Sequence, residues 1–439
     1  MTSPESERPR ARKFTAGLSA VGSSLLGAGL FTYLFLSLTG RLLGPEDFAP
    51  VSTLWALVLI LGPGLFLPLQ QELGRVIAGQ RAERGGGQAV RRTVLIALVM
   101  CAVVMAGSLA GRTWATHELF AGNSALFWCY EGAIASYAVT FVARGVLSGL
   151  GDFGLLSQLI ASEALARLLV ALTLWVAGWH SETAFGVAIA VAPLVSTAVG
   201  TRLGRAATMR AGVRPPWRDL TKALGWLVVG SLLAQFVANA GPIAVQVYAG
   251  PGQSSRAGVF LSALVIARVT LYLFQAVQAT ILPNIAELAS GQRLAEIAAA
   301  IRRLTVVCLA LVVVAGVGAF VAGPFAVRLL FGEGFVIGAT TMGVLAAASA
   351  VYVLAAALTS VAIAIAEHAL VALAWSAGAA GFVLGTQLSA DLFDRVELGY
   401  SLGSAAAAVV LLVLLPMRFR AGRPVRGVDQ HQPDSTGAA

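Results

Sequence analysis

The sequence predicts an all-α integral membrane protein, with twelve transmembrane helices arranged as two six-helix lobes. Three observations lead there. The 439 residues are 58% hydrophobic and only 12% charged, with a mean hydropathy of +0.82, whereas soluble domains carry about 25% charged residues. Apolar stretches able to cross a bilayer core of roughly 30 Å recur along the whole chain. Finally, the basic residues are sorted between alternate loops. Alternating strands of the barrel type are absent, which leaves helices as the spanning element.

The first hairpin sets the pattern. Gly40 to Leu73 places a short polar turn (Gly44, Pro45, Glu46, Asp47) between two apolar runs, and a weaker copy returns from Tyr248 to Leu288. The predicted spans of the first half are Gly17–Thr39, Phe48–Glu72, Thr93–Ala110, Ser124–Leu147, Leu155–Gly178 and Ala184–Thr201. Those of the second are Leu224–Tyr248, Gly258–Leu282, Leu304–Val327, Val336–Ala366, Leu370–Leu388 and Leu398–Met417. The expected organisation is a basic tail (1–13), an N-lobe (14–202), a basic inter-lobe loop (203–222), a C-lobe (223–417) and a polar tail (418–439). The basic N-terminus followed by an apolar run resembles a signal peptide. The run from Gly17 to Thr39 is too long for one, so a retained signal anchor is expected.

Charge fixes the expected orientation. With the N-terminus in the cytoplasm, 23 of the 30 Lys and Arg residues fall on the inside and 5 on the outside. Arg167 and Arg268 remain within spans. Both termini are therefore expected in the cytoplasm, with the protein in the plasma or inner membrane. The net charge of +9 lies in short loops and forms no stripe, which excludes a nucleic-acid partner. Cys101, Cys129 and Cys308 all fall in spans at spacings that match no metal site or disulfide framework, and read as packing residues. No Walker lysine is present, and the four His are scattered, so neither ATP coupling nor a metal or hydrolytic centre is expected. Gly145 with Gly149, and Gly381 with Gly385, have the spacing that lets helices approach closely.

Polar groups in a span are costly and face a cavity or another helix. In span seven Gln235, Asn239 and Gln246 share one face, with Ser231 beside them. Gly241 and Pro242 predict a hinge there. Pro63 and Pro68, flanked by Gly62 and Gly64, predict a second one in span two. Span eight carries Arg268, Tyr272 and Gln275 on one face. A guanidinium at that depth needs an anion, either a carboxylate or a bound phosphate. Glu163 and Arg167 are spaced i, i+4 in the favourable order, which suits an internal ion pair or a cavity site. Glu131 is the carboxylate candidate for ion coupling, with Glu163 beside it, and a solvated position at the outer mouth is its alternative. Glu46 and Asp47 read as a turn ahead of a helix N-terminus. An acidic pair of a membrane glycosyltransferase is the competing reading.

Four segments carry a resemblance. RLLGPEDF (Arg41–Phe48), LSGLGDFG (Leu147–Gly154), ILPNIAEL (Ile281–Leu288) and RLLFGEGF (Arg328–Phe335) occur in the order and at the loops seen in a known family. The chain thereby resembles the polysaccharide flippases of the multidrug/oligosaccharidyl-lipid/polysaccharide (MOP) exporter superfamily. The resemblance implies two six-helix lobes around a central V-shaped cavity that opens alternately to either side. It implies as cargo a polyprenyl-pyrophosphate-linked oligosaccharide, of the O-antigen, exopolysaccharide or teichoic type. It implies contact with membrane lipids and with a polysaccharide polymerase or ligase, and no enzymatic step. A cation-coupled multidrug exporter of the same superfamily is the main alternative. No cofactor is expected, and coupling to H+, Na+ or the membrane potential stays open. The expected cavity residues are Arg268, Tyr272, Gln275, Gln235, Asn239, Gln246 and Arg167.

Overall fold

A computed structural model describes residues 4–79, 87–202, 217–250, 252–253, 255–268 and 294–420. They form eleven α-helices of twelve or more residues: α1 (Pro4–Gly79), α2 (Gly87–Ala110), α3 (Ser124–Leu150), α4 (Phe153–Val176), α5 (Glu182–Arg202), α6 (Trp217–Tyr248), α7 (Arg256–Ala267), α8 (Leu294–Phe331), α9 (Ala339–Ala364), α10 (His368–Gly385) and α11 (Leu392–Arg420), with a short α-helical turn (Arg112–Trp114) and a π-helical turn (Ala115–Leu119) between α2 and α3. Among the described residues no strand is present. Nine of these helices are long and apolar enough to cross a membrane, while α7 and the described part of α5 are shorter. The chain is thus an all-helical, multi-pass membrane protein. Residues 4–13 of the predicted tail are already helical, and α6 starts at Trp217 inside the predicted loop.

The turns between helices follow from their residues. α1 bends once, at Gly44 (φ 75°), into a first limb of 4–43 and a second of 45–79. Only glycine adopts that left-handed conformation without strain. In LSGLGDFG, Gly151 (φ 68°) closes α3, and the Asp152 side chain accepts from the Leu155 N–H at 3.3 Å to start α4. Asn123 caps α3 in the same way, accepting from the N–H groups of Ala125 and Leu126. At the prolines the backbone stays helical. The second limb of α1 runs unbroken through Pro63 and Pro68, and α6 runs unbroken through Gly241 and Pro242. Neighbours hold both. A Cβ on Gly64 would meet the Leu232 Cα at 3.1 Å, and one on Gly241 would meet the Phe260 ring at 2.5 Å.

In the N-terminal half α1 packs against α3 and α4, and α5 against both of those. In the C-terminal half α10 packs against α11 and α6, and α8 and α11 against α9. The glycine spacings lie in these seams. A Cβ on Gly149 would sit 2.6 Å from the Ile77 Cβ, and one on Gly385 would sit 2.6 Å from the Gly399 Cα. Cys101, Cys129 and Cys308 are buried and free. α2 and α8 are peripheral and expose apolar rows, including Leu98, Val103, Val314 and Val321.

The halves meet along α1, which packs on α6 and α7. At the end of the bundle away from the N-terminus they are in tight contact. Phe48 stacks on Phe331 and Phe335 at 6.1 and 5.9 Å, and a Cβ on Gly258 would meet the Pro45 carbonyl at 2.6 Å. Arg41 Nε donates to the Leu330 carbonyl at 2.8 Å, its Nη2 donates to the Leu329 carbonyl, and the Ser37 hydroxyl donates to the Leu330 carbonyl. These contacts seal that end.

Candidate functional site

Below the seal, two cavities lie side by side between the halves. The first, of about 510 Å³, is walled by both limbs of α1, by α3 and α4, and by α6 and α7 across from them. Its lining runs from mid-helix (Trp55, Arg167) to residues near the N-terminal end of the bundle (Val21, Arg144, Leu156). The second, of about 480 Å³, is walled by α6, α9 and α10, with the second limb of α1 across from them. Both fall in the size range of ligand pockets. They share Leu59, Pro63, Leu67, Asn239 and Arg268.

The first cavity holds a charged cluster. Glu163, buried on α4, accepts from Arg167 Nη2 at 2.9 Å, from Arg144 Nη2 at 2.5 Å and from the Tyr137 hydroxyl at 3.0 Å. The i, i+4 pair expected on α4 is therefore formed, and it is part of something larger. Arg167 is 2% exposed, donates also to the Tyr137 hydroxyl at 3.3 Å, and lies over the Trp55 ring at 4.9 Å. Arg144, counted from sequence among the basic loop residues, instead points into the cavity wall and pairs with Glu163. Tyr137, Phe141 and Arg144 follow one another at intervals of four and three residues on α3, a single helix face. That spacing was the available signal.

Arg268 stands where the cavities join. Its Nη1 donates to Asn239 Oδ1 at 3.0 Å, Asn239 Nδ2 donates to Gln235 Oε1 at 2.9 Å, and the guanidinium lies 5.5 Å from the centre of the Tyr400 ring. Among the described residues no carboxylate pairs with Arg268. The chain Arg268–Asn239–Gln235 thus unites three expected cavity residues. Gln246, two turns further along α6, lines neither cavity. Tyr272 and Gln275 lie outside the described residues. Pro63 and Pro242 line the first cavity and Pro68 the second, so those positions face the cavities without acting as breaks. Glu131 lies apart from both. It is 2% exposed, and Oε1 accepts from the Ser108 hydroxyl of α2, so it is a buried group and not a solvated one at the mouth. Among the described residues no cluster of His, Cys, Asp or Glu suits a metal ion.

Chemically, the first cavity brings together, among the described residues, three guanidiniums (Arg144, Arg167, Arg268) and one carboxylate (Glu163). Guanidiniums only donate hydrogen bonds and recognise carboxylate or phosphate oxygens. Leu25, Leu261, Leu264 and Val265 complete the wall with apolar surface.

No protein-family model matches the chain, and no curated protein matches it in sequence. Solved structures do match over nearly its whole length. An inward-facing multidrug-resistance MATE family transporter of the MOP superfamily aligns with a TM-score of 0.69 at 16% identity, over 90% of this chain and 95% of that one. A MATE transporter of Vibrio cholerae aligns at 0.66 and 14% identity, over 94% and 99%. An outward-facing MATE family transporter aligns at 0.65 and 14% identity, over 92% and 96%. The fold is that of the MATE transporters of the MOP superfamily.

Proposed function

We propose that this chain is a flippase that carries a polyprenyl-pyrophosphate-linked oligosaccharide from the inner to the outer leaflet by alternating access. The observation that carries this reading is the charge of the first cavity, three guanidiniums to one carboxylate. In a low-dielectric site that excess favours an anion. A lipid pyrophosphate supplies the anion, and its polyprenyl tail suits the apolar wall beside it. The seal at the far end fits an inward-facing state, with the termini in the cytoplasm of a bacterial-type plasma membrane. Movement of the anion outward is then favoured by an inside-negative potential, at roughly 2.3 kcal/mol per charge per 100 mV. H+ or Na+ exchange could add to that drive.

The fold suits a multidrug exporter equally well. A cationic drug, however, would enter the first cavity against its positive excess, so we rank that reading second. A membrane glycosyltransferase is less well supported. Glu46 and Asp47 are exposed at the start of the second limb of α1, where carboxylates suit a helix N-terminus.

The test is flipping in proteoliposomes. A short-chain polyprenyl-pyrophosphate oligosaccharide is placed in the inner leaflet, and its sugar is offered to an external glycosidase. Wild-type protein is expected to make the sugar cleavable, and Arg144→Gln with Arg167→Gln is expected to abolish this. Movement of an ethidium-like cation with no lipid flipping would overturn the proposal in favour of the drug exporter.

A further inference from the structure

The two cavities are copies of one plan that have been given opposite chemistry. With the two limbs of α1 counted separately and the short helical turns of 112–119 left out, α3 is the fourth long helix of the first half, and α9 is the fourth among the described residues of the second. Tyr137 lies thirteen residues beyond Ser124, the start of α3, and Tyr352 thirteen beyond Ala339, the start of α9. Each tyrosine lines, or abuts the wall of, its own half's cavity. Arg144 and Thr359 both lie twenty residues into those helices and both face the cavities. Around Tyr137 the partners are ionic: Glu163, Arg167 and, one position plan further, Arg144. Around Tyr352 they are neutral. Its ring packs on Trp375 at 5.2 Å, and the Trp375 Nε1 donates to the Thr359 hydroxyl at 2.9 Å.

Among the described residues, the second cavity is lined by one charged residue, Arg268, at the junction. Its other polar groups are Gln71, Ser231, Gln235, Asn239, Thr359 and Ser360. Hydroxyls and side-chain amides both donate and accept, unlike guanidiniums. A sugar hydroxyl also does both, and an uncharged sugar gives the lone charge no reason to be repeated. We infer that the second cavity is a separate subsite for the uncharged sugar head group of the cargo, contacted by Ser231 of α6 and by Thr359 of α9, whose hydroxyl donates to the Ala355 carbonyl at 2.8 Å and keeps an acceptor lone pair for a sugar hydroxyl. Arg268, shared by both cavities, marks the point where pyrophosphate and first sugar meet. This inference rests on the flippase reading and adds to it a neutral-glycan specificity seated in the C-terminal half.

The test uses full-length protein in nanodiscs and two probes. One is a short-chain polyprenyl pyrophosphate with no sugar. The other is the same lipid bearing a neutral hexose–N-acetylhexosamine disaccharide. Wild type is expected to bind the sugar-bearing probe more tightly. Ser231→Ala with Thr359→Val is expected to weaken that probe alone, by about tenfold, and its unchanged affinity for the bare lipid reports an intact fold. Arg144→Gln with Arg167→Gln is expected to weaken both probes. The subsite is overturned if wild type binds the two probes equally, or if the hydroxyl variant weakens both alike or neither. Equal binding of both probes leaves the flippase reading standing, whereas failure of wild type to bind either probe overturns both proposals.

Discussion

Glu163 is the carboxylate between the buried guanidinium of Arg167, at 2.9 Å, and the half-buried one of Arg144, at 2.5 Å. Removing one partner of a buried ion pair leaves charge without compensation, which costs about 3–5 kcal/mol. Glu163→Gln strands both cations and should therefore lower the thermal unfolding temperature in detergent sharply. Arg144→Gln keeps the Arg167 pair and should lower it much less. Equal shifts for the two variants would show that the cluster does not depend on its central carboxylate. At this scale the sequence was half legible. Glu163 and Arg167 lie four apart on one helix, so their pairing follows from helix geometry alone. Arg144 approaches from another helix, 19 residues away, and only the packing of α3 on α4 reveals that it belongs to the cavity.

Helix contacts obey the same division between what is local and what is not. The spacing of Gly381 and Gly385 announces a close crossing, and α11 answers with Gly399 and Gly403. A Cβ at Gly385 would stand 2.6 Å from the Gly399 Cα and 2.7 Å from the Leu398 carbonyl, both backbone atoms that cannot rotate away. Gly385→Leu should force α10 off α11 and destabilise the protein by about 1–3 kcal/mol or more. Gly318→Ala, on exposed α8 with nothing within 4 Å, should melt at or slightly above wild type, because alanine favours helix. Thermal melts of the two variants side by side check this, and equal losses would contradict it. Prolines illustrate the limit of local reading. The turn expected at Gly44 is present, with φ 75°, whereas the second limb of α1 stays helical through Pro63 and Pro68, where a break was also expected. Around the prolines α6 braces the helix, with the Ser231 hydroxyl donating to the Pro63 carbonyl at 3.5 Å. No pattern within α1 reports that brace.

Across the whole molecule, the segments RLLGPEDF and RLLFGEGF were each legible as a turn, but their contact was not, because 289 residues separate Arg41 from Leu330. Folding brings them together as the seal at the far end. Arg41 covers carbonyls in the last turn of α8, where the helix dipole favours a cation. The three phenylalanines fill the space behind it. On the flippase reading proposed above, alternating access requires this seal to part, since both cavities lie on one side of it. A covalent bond across it should therefore stop transport without touching the cargo site. Pro45 and Gly334 face one another across it: a Cβ on Gly334 would lie 3.3 Å from Cγ and Cδ of the Pro45 ring, which brings cysteines at the two positions close to the Cβ separation of about 3.5–4.5 Å that a disulfide needs. With Pro45→Cys and Gly334→Cys, oxidation should abolish flipping, and reduction should restore it. Binding of the bare polyprenyl pyrophosphate should persist in the oxidised form, because Arg144, Glu163 and Arg167 lie away from the bridge. The native cysteines, all buried, stay out of the reaction. Flipping that continues at the wild-type rate in the oxidised protein would mean that the halves do not separate at this end, and that the cargo leaves by another route.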